Sequence, residues 1–408
     1  MSRQRRWWTT AALAGVVLST VIACGAPSSN SGGKGSALKP GDVPANPKKP
    51  VSLNILDVAG NLQLTQGMID EFVKTHPKVI SKVTYSKATA PELAGKIKAQ
   101  QAAGQLQIQL VLTGTDGLSA GIKQHLWTKM SPDYDSKIGK PNYLPAAADM
   151  AKLAEGQGVE LVYYPSGPLI EYNPKTVKNP PRTPQALLAW AKAHPKKFQY
   201  ADPANSGPGR TWLMALPYLL GDSNPQDPVH GWSKTWAYLK ELNKYIDVYA
   251  SGTTETMKNL ASGQADMIMS TTGWYINPRA LGTVPKSMAV GPFDNMTWVT
   301  DAQYAVVPKG VSADQMSALT QLIKWMLTPK QQAKAYDDGY FYPGPAVQNV
   351  PLSMAPAKSQ QVVKEYGVPE MDQWIAKYPK KPSLPADMQV TAFDMWNRQV
   401  ASGKKSSG

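Results

Sequence analysis

The chain has 408 residues, of which 42% are hydrophobic and 18% charged. That apolar content is enough for a real core in two or three domains and excludes wholesale disorder. Lys and Arg exceed Asp and Glu by 14, there is one cysteine, and the four histidines fall at no ligand spacing. These features exclude an internal disulfide and a cysteine- or histidine-built zinc site.

The chain opens with Arg3, Arg5 and Arg6, followed by an apolar run from Ala11 to Ile22. That run is too short to span a bilayer and suits the apolar stretch of a signal peptide. It ends in Val21-Ile22-Ala23-Cys24-Gly25, which resembles the lipobox of bacterial lipoproteins. The resemblance implies a signal peptide over 1–23 and a diacylglycerol on Cys24, the single cysteine. Residues 24–50 are rich in Ser, Gly, Pro and Lys without periodicity, and read as a flexible tether. An acyl anchor with such a tether would hold the remaining chain on the outer face of the cell membrane. The lysines are scattered and show no basic–aromatic motif, so no nucleic-acid partner is expected.

Strand and helix patterns alternate beyond residue 50. Val51–Asp57 reads as a buried strand, Leu62–Thr75 as an amphipathic helix stopped at His76-Pro77, and Val79–Tyr85 as a second strand. Pro91–Ala103 predicts a helix, Ile108–Leu112 a third strand, and the loop Thr113 to Gly117 follows. The order predicts an open, mostly parallel sheet with helices on both faces. Ligands of such sheets bind beyond the strands' carboxyl ends, which singles out the loops at Asn61 and at Thr115 and Asp116. The order repeats after residue 175. A helix begins at Thr183-Pro184, a short strand covers Phe198 to Ala201, and the loop DPANSGPGR leads into a further helix. Helices are expected within Pro228–Tyr245 and over Thr254–Ala261, then strands at Ala265–Ser270 and Asp301–Pro308. Helices dominate from Ser312 onward, with Pro343 to Lys381 left unplaced.

Several segments together resemble the extracellular solute-binding proteins of bacterial ABC importers. They are Leu169 to Lys175 with Pro180 to Leu188, Glu255 to Met267, Tyr304 to Gly310, and Met316 to Ala333. The look is nearest to the group with iron, thiamine and polyamine binders. The resemblance implies an α/β fold of the type II periplasmic-binding-protein kind, with two lobes joined by two hinge crossings. Lobe 1 would take 51–168, lobe 2 would take 169–300, and 301–408 would return to lobe 1 and end in helices. It also implies a monomer that captures a small solute between the lobes and delivers it to permease subunits driven by an ATPase, with no catalysis and no cofactor.

Candidate ligand-binding residues follow from the loops. Asn61, Thr115 and Asp116 come from lobe 1, and Tyr172 lies near the first crossing. Ser206, Gly207 and Arg210 form a helix-opening turn suited to an anion, with Arg210 able to clamp it. Trp274, Tyr275 and Trp298 offer aromatic faces for a protonated or quaternary nitrogen, with Asp116 or Asp301 to neutralise it. The solute expected from the aromatic and acidic residues is a cationic amine such as thiamine or a polyamine, and an anion or a sugar is the alternative. An iron site would want tyrosine pairs in other positions, so no metal is expected. An envelope hydrolase would need a nucleophile with its base or paired carboxylates, and Asn205-Ser206-Gly207 lacks the residues of a nucleophile elbow. A structural lipoprotein is a further alternative.

Overall fold

The computed structural model describes residues 38–405. The signal segment and Cys24 lie outside the described residues. In chain order the strands are β1 (Val51–Val58), β2 (Ile80–Ala88), β3 (Leu110–Gly114), β4 (Val159–Gly167), β5 (Leu169–Tyr172) and β6 (Phe198–Gln199). They continue with β7 (Met267–Ser270), β8 (Ala289–Pro292), β9 (Trp298–Val306), β10 (Gly344–Pro345) and β11 (Lys380–Pro382).

These strands form two sheets. The first has the order β10-β4-β9-β3-β1-β2, with β11 paired to the start of β9. The second has the order β6-β7-β5-β8. Both are mixed, which corrects the expectation of mostly parallel sheets. β1 runs parallel to β2 and β3, and β6 parallel to β7. β9 runs antiparallel to both β3 and β4, and β5 antiparallel to both β7 and β8. The reason lies in the connections. Strands joined by a helical crossover return in the same direction. β4 instead passes straight into β5 through Pro168, and β9 comes back from β8 without a crossover helix.

Each sheet carries apolar layers on both faces. On the first, Leu64, Met68, Ile69 and Phe72 of the helix Leu62–Thr75 pack with Ile55, Leu110 and Leu112. Its other face buries Leu56, Val58, Val111 and Tyr304 against Leu93, Ile97 and Leu118. On the second, Trp212, Leu213 and Leu216 of the helix Gly207–Leu220 pack with Leu169, Met267 and Met269. Ile268 meets Met257 and Leu260 on the opposite face. Fully burying side chains of this size contributes about 1.5–3 kcal/mol each, which sets the sheet faces firmly.

One segment differs from its expected role, and one that the sequence left unplaced finds its position. Of the segment expected to be a tether, residues 38–50 lie along the first sheet's helices. Val43 is buried, its carbonyl accepts from Lys137 Nζ at 2.7 Å, and the Ala45 carbonyl accepts from Gln321 Nε2 at 3.0 Å. Pro40, Pro44 and Pro47 restrict the backbone there and lower the entropic cost of that docking. The segment Pro343 to Lys381 serves both sheets. Gly344–Pro345 and Lys380–Pro382 pair into the first, whereas Tyr366 receives Arg279 on its carbonyl and Glu365 pairs with Lys286 beside the second.

Candidate functional site

The strands β1, β2 and β3 point their carboxyl ends the same way, and each leads directly into a helix. The three turns bring Ala59 and Gly60, Ala90, and Asp116 to one place. The second sheet does the same from the facing side. There Asn205, Gly207 and Arg210 open the helix Gly207–Leu220, Ser251 to Glu255 open the helix Thr253–Ser262, and Trp274 follows β7. Tyr164 of β4, Gln303 of β9, Tyr340 and Phe341 complete the lining of a cavity of about 480 Å³ between the sheets. That volume suits a small organic molecule.

A buried ionic cluster crosses this cavity. Arg210, from the second sheet's side, pairs with Asp116 Oδ2 through Nη1 at 2.9 Å and with Asp301 Oδ2 through Nη2. Both aspartates belong to elements of the first sheet. Asp301 is held at every point: Thr115 Oγ1 donates to Oδ1 at 2.6 Å, the Ala302 N–H to Oδ1 at 3.0 Å, and Tyr164 Oη to Oδ2 at 2.7 Å. Burial opposes the charge on Arg210, but the carboxylates of Asp301 and Asp116 outweigh it, so the guanidinium stays protonated. Burial, with the Asp301 charge beside it, likewise keeps the Tyr164 phenol protonated. The contact to Asp116 lacks hydrogen-bond alignment, and neither Nη1 nor Nε of Arg210 donates to any described group. Each of these N–H groups is buried, so each is costly to leave unpaired.

Four aromatic rings form the neighbouring wall. Tyr164 stacks on Phe341 at 4.6 Å between centroids, Phe341 on Tyr340 at 4.3 Å, and Tyr340 meets Trp274 edge-on at 5.4 Å. Trp274 is half-buried, so its ring is available to the cavity. Gly273 makes this meeting possible. A Cβ there would stand 1.9 Å from the Tyr340 carbonyl oxygen, so the close approach is between two backbone segments. At the rim, Glu255 accepts from the Ser251 N–H at 2.9 Å, and the exposed Lys258 lies one turn further on.

The structure separates the eleven expected contact residues into three groups. Asp116, Gly207, Arg210 and Trp274 line the cavity. Asn61, Thr115, Ser206 and Asp301 stand directly behind the lining. Asn61 reaches Gln303 Oε1 at 3.5 Å, and Ser206 Oγ accepts the Gly209 N–H while bonded to Thr253 Oγ1 at 2.7 Å. Tyr172, Tyr275 and Trp298 are placed elsewhere, which corrects the expectation that they face the cleft. Tyr172 pairs with Met267, at the end of β7 remote from the cavity. Tyr275 is fully buried, and its hydroxyl accepts the Val368 N–H. Trp298 is also fully buried, and its Nε1 donates to the Trp374 carbonyl at 3.1 Å. Sequence reasoning missed Tyr340 and Phe341 and the Ser251 to Glu255 turn. That turn carried a readable signal, since Ser-Gly-Thr-Thr ahead of an amphipathic stretch marks a helix N-terminus like the one at Ser206.

Among the described residues no three of His, Cys, Asp and Glu converge as a metal site. Nor is any described helix long and apolar enough to cross a membrane.

Residues 67–365 match the family model of the bacterial extracellular solute-binding proteins. The chain belongs to this family. A comparison with curated protein sequences finds no match. Solved structures show the same fold, that of the type II periplasmic binding proteins. A GABA receptor, Atu4243, is 19% identical with a TM-score of 0.64, over 88% of this chain and 100% of its own. A periplasmic thiamin binding protein is 15% identical with a TM-score of 0.59, over 88% and 99%. AfuA from Actinobacillus pleuropneumoniae, solved with fructose-6-phosphate, is 14% identical with a TM-score of 0.60, over 86% and 99%. The solutes named for these proteins differ in charge, so the fold leaves the choice of solute to the residues of each cleft.

Proposed function

We propose that this solute-binding protein is the capture component of an ABC importer. It takes a small solute into the cavity between its two sheets, closes over it, and presents the loaded form to a membrane permease coupled to an ATPase. On this reading the chain forms two lobes, 51–168 and 169–300 with a return after 301, joined by two crossings, and the presence of two separate sheets supports it. The observation that carries this reading is the cavity itself. It lies beyond the carboxyl ends of the strands, draws its lining from both sheets, and is spanned by one ion-pair cluster, so a solute there would contact both lobes at once. The protein acts as a monomer and performs no chemistry on its cargo.

The test is direct. Protein purified without denaturation is analysed by native mass spectrometry, then unfolded, and any released small molecule is identified and titrated back. Trp274→Ala is expected to weaken that binding by about 1–2 kcal/mol, through loss of one ring of the aromatic wall, with an unchanged unfolding midpoint. Equal affinity of the variant by calorimetry removes Trp274 from the site. Absence of any bound or binding small molecule argues for the structural lipoprotein instead.

The chain is held at the outer face of the cell membrane by a lipid on Cys24. Cys24→Ala is expected to abolish acylation and release the protein from the membrane fraction. An intact protein mass that shows lipid on the variant disproves the anchor.

A further inference from the structure

The cleft holds two requirements that pull towards opposite ligand charges. Arg210 presents two N–H donors, Nε and Nη1, without a hydrogen-bond partner, on a side chain only 3% exposed that lines the cavity. An acceptor in the ligand would satisfy Nε, and an anionic one best. The first turns of the helices Gly207–Leu220 and Thr253–Ser262 face the same cavity and favour negative charge as well. Yet the fixed charges run the other way. Asp116 and Asp301 set two carboxylates against the one guanidinium of Arg210, and at the rim Glu255 offsets Lys258. A lone anion would add a second net negative charge to a buried cluster. A lone cation would neutralise the cluster but leave Nε of Arg210 unmet. Both demands are met by a ligand that carries both charges.

Resting on the reading of this cavity as the solute site, we infer that the solute is a zwitterion, a small amino carboxylate. Its carboxylate accepts from Nε of Arg210, since Nη1 lies on the opposite edge of the planar guanidinium and already faces Asp116. Its ammonium group is taken up by Asp116 and the aromatic wall of Tyr340 and Trp274. Asp116 suits this role because its Oδ1 accepts from the Gly117 N–H while Oδ2 has only the misaligned contact to Arg210. Asp301 is already held by four donors and serves to fix Arg210.

The full chain, freed of bound solute by unfolding and refolding, is titrated by calorimetry against three sets of probes. The first is a series of α- and ω-amino carboxylates, the second butyrate and inorganic phosphate, and the third butylamine, putrescine and thiamine. At least one amino carboxylate is expected to bind ten times more tightly than every probe that bears a single kind of charge. Asp116→Asn is expected to weaken that amino carboxylate at least tenfold while butyrate binds no more weakly than before, because a negative charge beside Arg210 is gone. The comparison on the unmodified protein decides the matter should the variant fold poorly. Tightest binding of phosphate, putrescine or thiamine overturns the inference and leaves the solute-site reading intact. Binding of no probe, with no molecule released from the native protein, overturns the solute-site reading and the inference with it.

Discussion

Asp301→Ala is expected to destabilise the protein by about 3–5 kcal/mol, read as a lowered midpoint in urea unfolding. The cost comes from what the carboxylate leaves behind. Arg210 would keep a buried charge with one remaining partner, the misaligned Asp116, and the hydroxyls of Thr115 and Tyr164 would each lose an acceptor. Breaking one side of a buried ion pair costs far more than the pair contributes against an apolar replacement. Asp301→Asn keeps the shape and one carbonyl acceptor while removing the charge, so it is expected to fall between wild type and alanine. Asn should also lower solute affinity more than its stability loss implies, because Arg210 then turns towards the one remaining charge, Asp116. An alanine variant within about 1 kcal/mol of wild type would show that the cluster is solvated and that Arg210 is not fixed by it.

Much of this site was legible because two physical rules act locally. Parallel strands that feed helices leave their carboxyl ends together, so the loops at 59–61, 113–117, 206–211 and 270–275 could be read from strand order. A Ser-Gly-Pro-Gly-Arg turn opening an apolar helix placed Arg210 without knowledge of its partners. What failed was side-chain direction. Along β9 the side chains alternate, so Asp301 and Gln303 share one face while Ala302 and Tyr304 share the other. Trp298 falls in step with Ala302, and it is buried rather than turned to the cleft. Tyr275 follows Trp274 immediately, yet the tight turn sends the two rings in different directions, one to Tyr340 and one to the backbone of Val368. Tyr340 and Phe341 were out of reach for another reason. They arrive from a segment after the helix Ala313–Met326, and nothing in their neighbourhood of the sequence says which loops that segment will meet. The strand directions were hidden similarly, since a direct crossing and a helical crossover differ in where the chain goes next rather than in the composition of the strand.

The last helix provides the strongest test of how the two sheets are tied together. Ala386 at its start belongs to the apolar layer of the first sheet, whereas Phe393 and Trp396 near its end sit in the core of the second. The helix also packs along Thr115–Lys123, the helix that carries Asp116. Trp396 is the fixed point of this arrangement. It is fully buried, donates from Nε1 to Tyr200 Oη at 3.0 Å, and meets the Tyr249 ring edge-on at 4.9 Å. The chain beyond it is fastened too, for the Tyr249 N–H donates to the Lys404 carbonyl at 2.7 Å, and Lys404 Nζ reaches the Asn243 and Ile246 carbonyls. Trp396→Ala is therefore expected to cost about 3–5 kcal/mol, the range for deleting a large aromatic from a closed core. Trp396→Phe keeps most of the ring and loses the N–H bond, with an expected cost of about 1–2 kcal/mol. Amide hydrogen exchange separates the two contributions. In the alanine variant, faster exchange confined to the last helix and the tail would mean that the segment detaches while both sheets persist. Faster exchange through residues 115–123 as well would mean that the last helix holds Asp116 in place across the cleft. The packing against Thr115–Lys123 favours the second result, and with it a drop in solute affinity for a substitution far from the cavity.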